Sequence, residues 1–189
     1  MTLWSRRRIV AAALVAALPL AAAGWYLWDR DPAPRAQHAT NSHQLSDRVA
    51  GLADRMRESP QDAAGWAMLG RSYAALGRFE DSAAAFERAA ELAPTDAQLL
   101  ADYADVAAVT QGTKFQGKPE ALIARALAAD PRNPKALWLS GAAMFEKGDY
   151  AAAAGRWRRL LPLVPADSPV ARTARRRIAE AERRAAAGN

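Results

Sequence analysis

Residues 65–78 read GWAMLGRSYAALGR. Trp66, Leu69, Gly70 and Tyr73 recur at the i, i+3, i+4, i+7 spacing that lines one face of a helix. A glycine at 77 follows where a helix cap can use left-handed backbone. The stretch has no carboxylate, imidazole or thiol, so it offers neither an acid–base pair nor a metal-ligand set. What it carries is spacing.

Counting outward from Trp66 gives that spacing a period. With Trp66 at position four of a 34-residue unit, Leu69, Gly70 and Tyr73 fall at seven, eight and eleven. Ser82, Phe86, Ala89 and Pro94 fall at twenty, twenty-four, twenty-seven and thirty-two. This is the tetratricopeptide (TPR) signature. Small residues at eight and twenty let two antiparallel helices approach, and the large side chains fill the space between them. A later copy begins near Pro134, with Gly141, Ala153, Trp157 and Pro165 in the matching places. The two copies are 71 residues apart, which is two periods and three residues, so a degenerate copy lies between. Its helices are predicted over 97–110 and 119–130, with the extra residues in QGTKFQGK, 111–118. Ser168-Pro169 is an N-cap and first-turn proline for a polar helix, the end cap a solenoid needs.

The fold class expected is all-α: a TPR solenoid of three helix pairs with leading and capping helices, preceded by one transmembrane helix. The predicted bounds are a leading helix over 43–58, repeats over about 63–96, 97–133 and 134–167, and a capping helix over 168–187.

Composition agrees with helices and narrows the chemistry. Half the chain is hydrophobic, much of it alanine. There is no cysteine, which excludes disulfides, thiolate metal sites and CxxC chemistry. The two histidines, His38 and His43, stand in a polar stretch without further ligands, so no metal site and no cofactor is expected. The net charge of +6 is concentrated at the two ends. Between Asp29 and Asp167 there are 17 basic and 18 acidic residues, and no basic stripe interleaved with aromatics, so no nucleic-acid partner is expected. The arginines of the tail read as a solvated helix face or as a contact with anionic lipid.

From Ile9 to Trp28 there are 20 residues without a charge, enough to span a hydrocarbon core as a helix. Arg6–Arg8 precede it, and Trp25, Tyr26 and Trp28 stand at its far end. The positive-inside rule then puts 1–8 in the cytoplasm, an anchor at 9–28, a flexible linker at 29–42 and a TPR domain outside, over 43–187. Ala21-Ala22-Ala23 also resembles a signal cleavage site, and SRRRIV a twin-arginine signal; each exports the domain as well.

The stretches GWAMLGRSYAALGRF, LLADYADVAA and KPEALIARALAADPRNPKALWLSG, with the W-RLL-PLVP-SP ending, resemble the cytochrome c maturation factors CcmI and CycH and their shorter relative NrfG. The resemblance implies a protein of the bacterial inner membrane, single-pass, with its TPR domain in the periplasm. It implies that the groove holds the C-terminal region of an apocytochrome c and presents it to the haem-ligation complex and its thiol-reducing subunits. Longer members carry two transmembrane helices; here one apolar segment is found. A generic periplasmic TPR scaffold for envelope assembly is the alternative. An enzyme is not expected, because no nucleophile–base pair, phosphate loop or metal set is present.

Groove-facing register positions nominate Arg71, Gln98, Asp105, Lys135, Trp138, Ala142 and Phe145 as client-binding residues. The other positions of that face are Ala64, Ala67, Ala74 and Ala75, Ala101, Ala108 and Val109, and Glu146. Two have rival readings. Arg71 either meets a client carboxylate or pairs with Asp105 on the next helix. Trp138 is either a groove anchor or packs on its neighbour. Phe115, in the inserted loop, reads either as a partner contact or as an aromatic turned inward.

Overall fold

The computed structural model describes residues 33–187, with side chains from Gln44 onward. The chain divides into two units, Met1–Asp47 and Arg48–Asn189. The cytoplasmic segment and anchor expected over 1–28 lie outside the described residues. Among those described, no helix is long and apolar enough to cross a membrane.

Eight α-helices and no strand are found among the described residues. They are α1 (Ala33–Glu58), α2 (Ala63–Ala75), α3 (Phe79–Leu92), α4 (Ala97–Thr110), α5 (Lys118–Ala129), α6 (Pro134–Glu146), α7 (Tyr150–Leu160) and α8 (Pro169–Ala187), with a 3-10 turn at Leu161–Leu163. Helix α1 starts at Ala33, earlier than the leading helix expected at 43, so part of the stretch read as a flexible linker is helical. The reason is local. Pro34 falls at the start of the helix, where its missing N–H costs nothing, and the alanines after it favour helix.

Helices α2/α3, α4/α5 and α6/α7 form three hairpins, and each first helix is opened by the same device. Asp62, Asp96 and Asn133 accept hydrogen bonds from the backbone N–H of Gly65, Leu99 and Ala136, at 2.9, 3.0 and 2.8 Å. Such a cap is worth about 1 kcal/mol. The first helices also end alike. Gly77, Gly112 and Gly148 have φ of 72°, 70° and 82°, and the N–H after each returns to a carbonyl five residues back. Only glycine takes that backbone without strain. The middle turn is then prolonged by a loop up to Gly117 before α5 begins.

Within the outer hairpins the close approach is decided by glycine. A Cβ added at Gly70 would lie 2.9 Å from the Phe86 ring, and one at Gly141 would lie 2.6 Å from Cε2 of Trp157. Phe86 and Trp157 are each 1% exposed. Ser82 Oγ donates to the Gly70 carbonyl at 2.7 Å, and Trp157 Nε1 to that of Trp138 at 3.2 Å. The polar atoms of the seam are therefore satisfied without water. The C-terminal half of α1 covers the first hairpin through Val49, Leu52 and Met56. Helix α8 covers the third through Ala174, Ile178 and Ala181.

Candidate functional site

The first helices α2, α4 and α6 lie side by side. Across them runs one polar network centred on Asp102, the one buried carboxylate among the described residues. Asp102 accepts from Gln98 Nε2 at 3.0 Å and from Lys135 Nζ at 2.9 Å, and meets Arg71 Nη1 at 3.5 Å. Lys135 also pairs with Asp105 at 2.9 Å. Asn133 Nδ2 donates to Gln98 Oε1 at 3.3 Å. Burial alone would lower the Lys135 pKa, but hydrogen bonds to Asp105 and Asp102 outweigh it and hold the ammonium above the usual lysine value. Arg71 meets Asp102 rather than Asp105, and half of its side chain remains exposed.

Trp138, Ala142 and Phe145 form a second region, at the α7–α8 end of α6. The Trp138 ring lies 6.0 Å from Trp157, tilted by 41°. Phe145 is enclosed by Trp157 at 5.9 Å, by Tyr150 edge-on at 5.1 Å and by the Arg184 guanidinium at 5.0 Å. All three nominated residues, with Phe115 and Arg177, line one cleft of about 410 Å³. Trp138 also lines a more apolar cleft of about 450 Å³ with Leu160, Val164 and Val170. It is half-buried, touching the core on one side and open to two clefts on the other.

The nominated residues thus fall into two groups: Arg71, Gln98, Asp105 and Lys135 joined through Asp102, and Trp138, Ala142 and Phe145 around the aromatic end. Of the alanines expected on this face, Ala67, Ala101 and Ala108 are buried, because neighbouring first helices cover them. Glu146 accepts the backbone N–H of Phe115 at 3.1 Å, and Phe115 packs against the core. The inserted loop is therefore fastened to α6 by its own aromatic and a carboxylate. Asp102 and Asn133 are the members of the network that register counting misses. The signal was an aspartate three residues before Asp105 on a mostly apolar helix.

A separate trio occupies the α3–α5 side. Lys118 Nζ meets Glu87 Oε1 at 2.6 Å, the Tyr103 hydroxyl donates to the same oxygen at 3.1 Å, and the ammonium lies 5.0 Å from the Tyr103 ring. The bonds from Lys118 and Tyr103 lower the Glu87 pKa, and the bond to Glu87 raises that of Lys118. Burial raises that of Tyr103.

A family model for the cytochrome c-type biogenesis protein H TPR domain matches residues 32–171. The chain belongs to this family. It is 38% identical over 162 residues to the cytochrome c-type biogenesis protein CycH of Pseudomonas aeruginosa, covering 82% of this chain and 40% of that protein. It is 30% identical over 139 residues to the formate-dependent nitrite reductase complex subunit NrfG of Escherichia coli O157:H7, covering 73% of this chain and 68% of NrfG. The chain thus spans less than half the length of the CycH relative and two thirds of NrfG. Among solved structures, the first TPR of Spaghetti (RPAP3), bound to the HSP90 peptide SRMEEVD, aligns with a TM-score of 0.58 at 19% identity. That alignment covers 67% of this chain and 97% of that one. A tetratricopeptide repeat protein from Parabacteroides merdae aligns with a TM-score of 0.61 at 16% identity, covering 79% and 58%. These likenesses establish the TPR-type solenoid.

Proposed function

We propose that this chain is a membrane-anchored periplasmic TPR chaperone of cytochrome c maturation. It holds the C-terminal region of an apocytochrome c and presents it to the haem-ligation and thiol-reducing subunits. The observation that carries the reading is the family match over residues 32–171. The anchor and the side of the membrane rest on the uncharged segment 9–28 and the arginines before it.

The geometry supports a binding role with no chemistry of its own. Asp102 is committed to Gln98, Lys135 and Arg71, so it is not a free general base. Trp138 offers a large, half-buried aromatic beside two clefts, the environment in which one side chain anchors a partner. An amphipathic client helix would set an apolar residue against Trp138 and polar residues along Arg71, Gln98 and Lys135.

Two measurements test the reading. Removal of residues 43–189 should abolish covalent haem attachment to c-type cytochromes while their apo-polypeptides are still exported. Normal haem staining would overturn the function. Trp138→Ala combined with Arg71→Glu should weaken binding of an apocytochrome C-terminal peptide by about 30-fold, roughly 2 kcal/mol. Unchanged affinity in a folded variant would overturn the site assignment alone.

A further inference from the structure

The positive charge of the chain is unevenly placed. From Arg156 to Arg184 there are nine arginines against Asp167, Glu180 and Glu182, a surplus equal to the +6 of the whole chain. Arg158 pairs with Glu182, and Arg183 and Arg184 with Glu180. Among the described residues, the other six (Arg156, Arg159, Arg172, Arg175, Arg176 and Arg177) are paired with no carboxylate.

Four of them are positioned by neutral oxygens. Arg159 donates to the Pro131 carbonyl at 3.0 Å, Arg175 to that of Ala166 at 3.0 Å, Arg172 to that of Asp167, and Arg176 to Thr173 Oγ1 at 3.0 Å. These bonds orient the guanidinium groups without neutralising them, and each keeps donors for an external oxyanion. The apolar side of α8 is already spent on α7, through Ala171, Ala174, Ile178 and Ala181. The helix therefore cannot bury an apolar face elsewhere; its exposed face offers charge.

Arg156 and Arg177 line two separate clefts; we propose that the other four, Arg159, Arg172, Arg175 and Arg176, at the end of α7 and in the first half of α8, dock on anionic phospholipid headgroups. The inference rests on the membrane-anchored reading above. Guanidinium forks match phosphate oxygens, and several cations near an anionic leaflet add their attractions without fixed register. An acidic protein partner fits this face less well. Protein interfaces centre on a buried apolar or aromatic anchor, and the exposed large hydrophobics among the described residues are Leu45, Met68 and Val170. Of these only Val170 is on α8, where it lines the Trp138 cleft.

The test uses the full chain, whose lack of cysteine allows a single label. Ala179→Cys carries a donor fluorophore on exposed α8, and Thr95→Cys carries it in the α3–α4 turn. Vesicles carry acceptor-labelled headgroups and are either pure phosphatidylcholine or about one third phosphatidylglycerol. The expected result is energy transfer from the Ala179→Cys label that is about three-fold stronger on the anionic vesicles. The excess disappears at about 1 M salt, where the Debye length falls to about 3 Å. The Thr95→Cys label shows no such excess. Arg172→Glu with Arg176→Glu removes the excess, as does Arg159→Glu with Arg175→Glu should the first pair unfold the domain; Arg172→Lys with Arg176→Lys keeps it. Flotation separates this inference from the anchoring beneath it. Flotation on pure phosphatidylcholine with equal transfer in both compositions overturns the arginine face and leaves the anchor standing. Flotation on anionic vesicles alone supports the face and removes the anchor. Flotation on neither overturns both. Capture of polyglutamate with no response to lipid composition overturns the lipid-docking face alone, and would make it a site for acidic polypeptide.

Discussion

The outer hairpins and the middle one solve the same packing problem differently. The outer pairs seal a glycine against a ring, Gly70 against Phe86 and Gly141 against Trp157. The middle pair has Ala104 at the corresponding position of α4 and Ile123 in the corresponding place on α5, both buried in the central cluster. An alanine opposite an aliphatic needs less clearance than one opposite an aromatic. The middle pair also has a hairpin on each side, so α4 is covered from more directions than α2 or α6. Nine of its fourteen residues are buried. A repeat stabilised by its neighbours can lose its signature residues, and in this chain it is that repeat which supplies Asp102 to the polar network.

The comparison predicts its largest effect at the rings. Trp157→Ala should cost about 3–5 kcal/mol in urea unfolding, the range for deleting a buried aromatic. Gly141→Ala should cost about 1–3 kcal/mol, because the new methyl overlaps the indole and both helices must shift. Restoring the signature in the middle repeat should fail to help: Ala104→Gly is expected to destabilise by about 1 kcal/mol, from helix propensity alone. If Ala104→Gly stabilised the protein, the middle hairpin would be a strained copy of the outer ones rather than a different solution.

The next effect distinguishes the two aspartates. Asp102→Ala leaves Gln98 and Arg71 without their carboxylate and should cost about 1–3 kcal/mol. Asp105→Ala should cost under about 1 kcal/mol, since Asp105 is half-exposed and pairs with Lys135 alone. Equal costs would mean that the network is not centred on Asp102.

This asymmetry also marks how far the sequence could be read. Register fixes which face of a helix a residue occupies, so Arg71, Lys135 and Trp138 can be nominated by counting. It does not fix which cation meets which carboxylate on the next helix. Asp102 and Asp105 lie one turn apart, and only the stagger of α2, α4 and α6 decides that Arg71 reaches the former. The alanines are a second case. Ala67 and Ala101 sit at groove positions, yet a side chain this short does not emerge between closely packed neighbours, so they are buried. At the other extreme, the turn glycine Gly77 and the start of the last helix at Ser168-Pro169 were legible outright, because local backbone geometry dictates them.

The smallest effect contrasts the inner network with the trio on the α3–α5 side, through pH. The Glu87 pKa is lowered in the folded chain by Lys118 and Tyr103. Its contribution is therefore complete above the unfolded glutamate value of about 4.3 and is lost as pH falls through the folded value. Lys118 and Lys135 are both raised. Their contributions are complete below about 10.4 and are lost only as pH rises further. Glu87→Gln should therefore flatten part of the acid limb of a stability–pH curve and leave the region near neutrality displaced by a constant amount. Because the pair is exposed, the whole difference should stay under about 1 kcal/mol. Lys135→Met should instead alter the alkaline limb and leave the acid shift of Glu87 in place. Urea midpoints from about pH 3 to 11 for the two variants and the parent measure both limbs. If Lys135→Met abolished the acid difference made by Glu87→Gln, the inner and outer networks would be coupled through α4, which carries Tyr103 toward one and Asp102 toward the other.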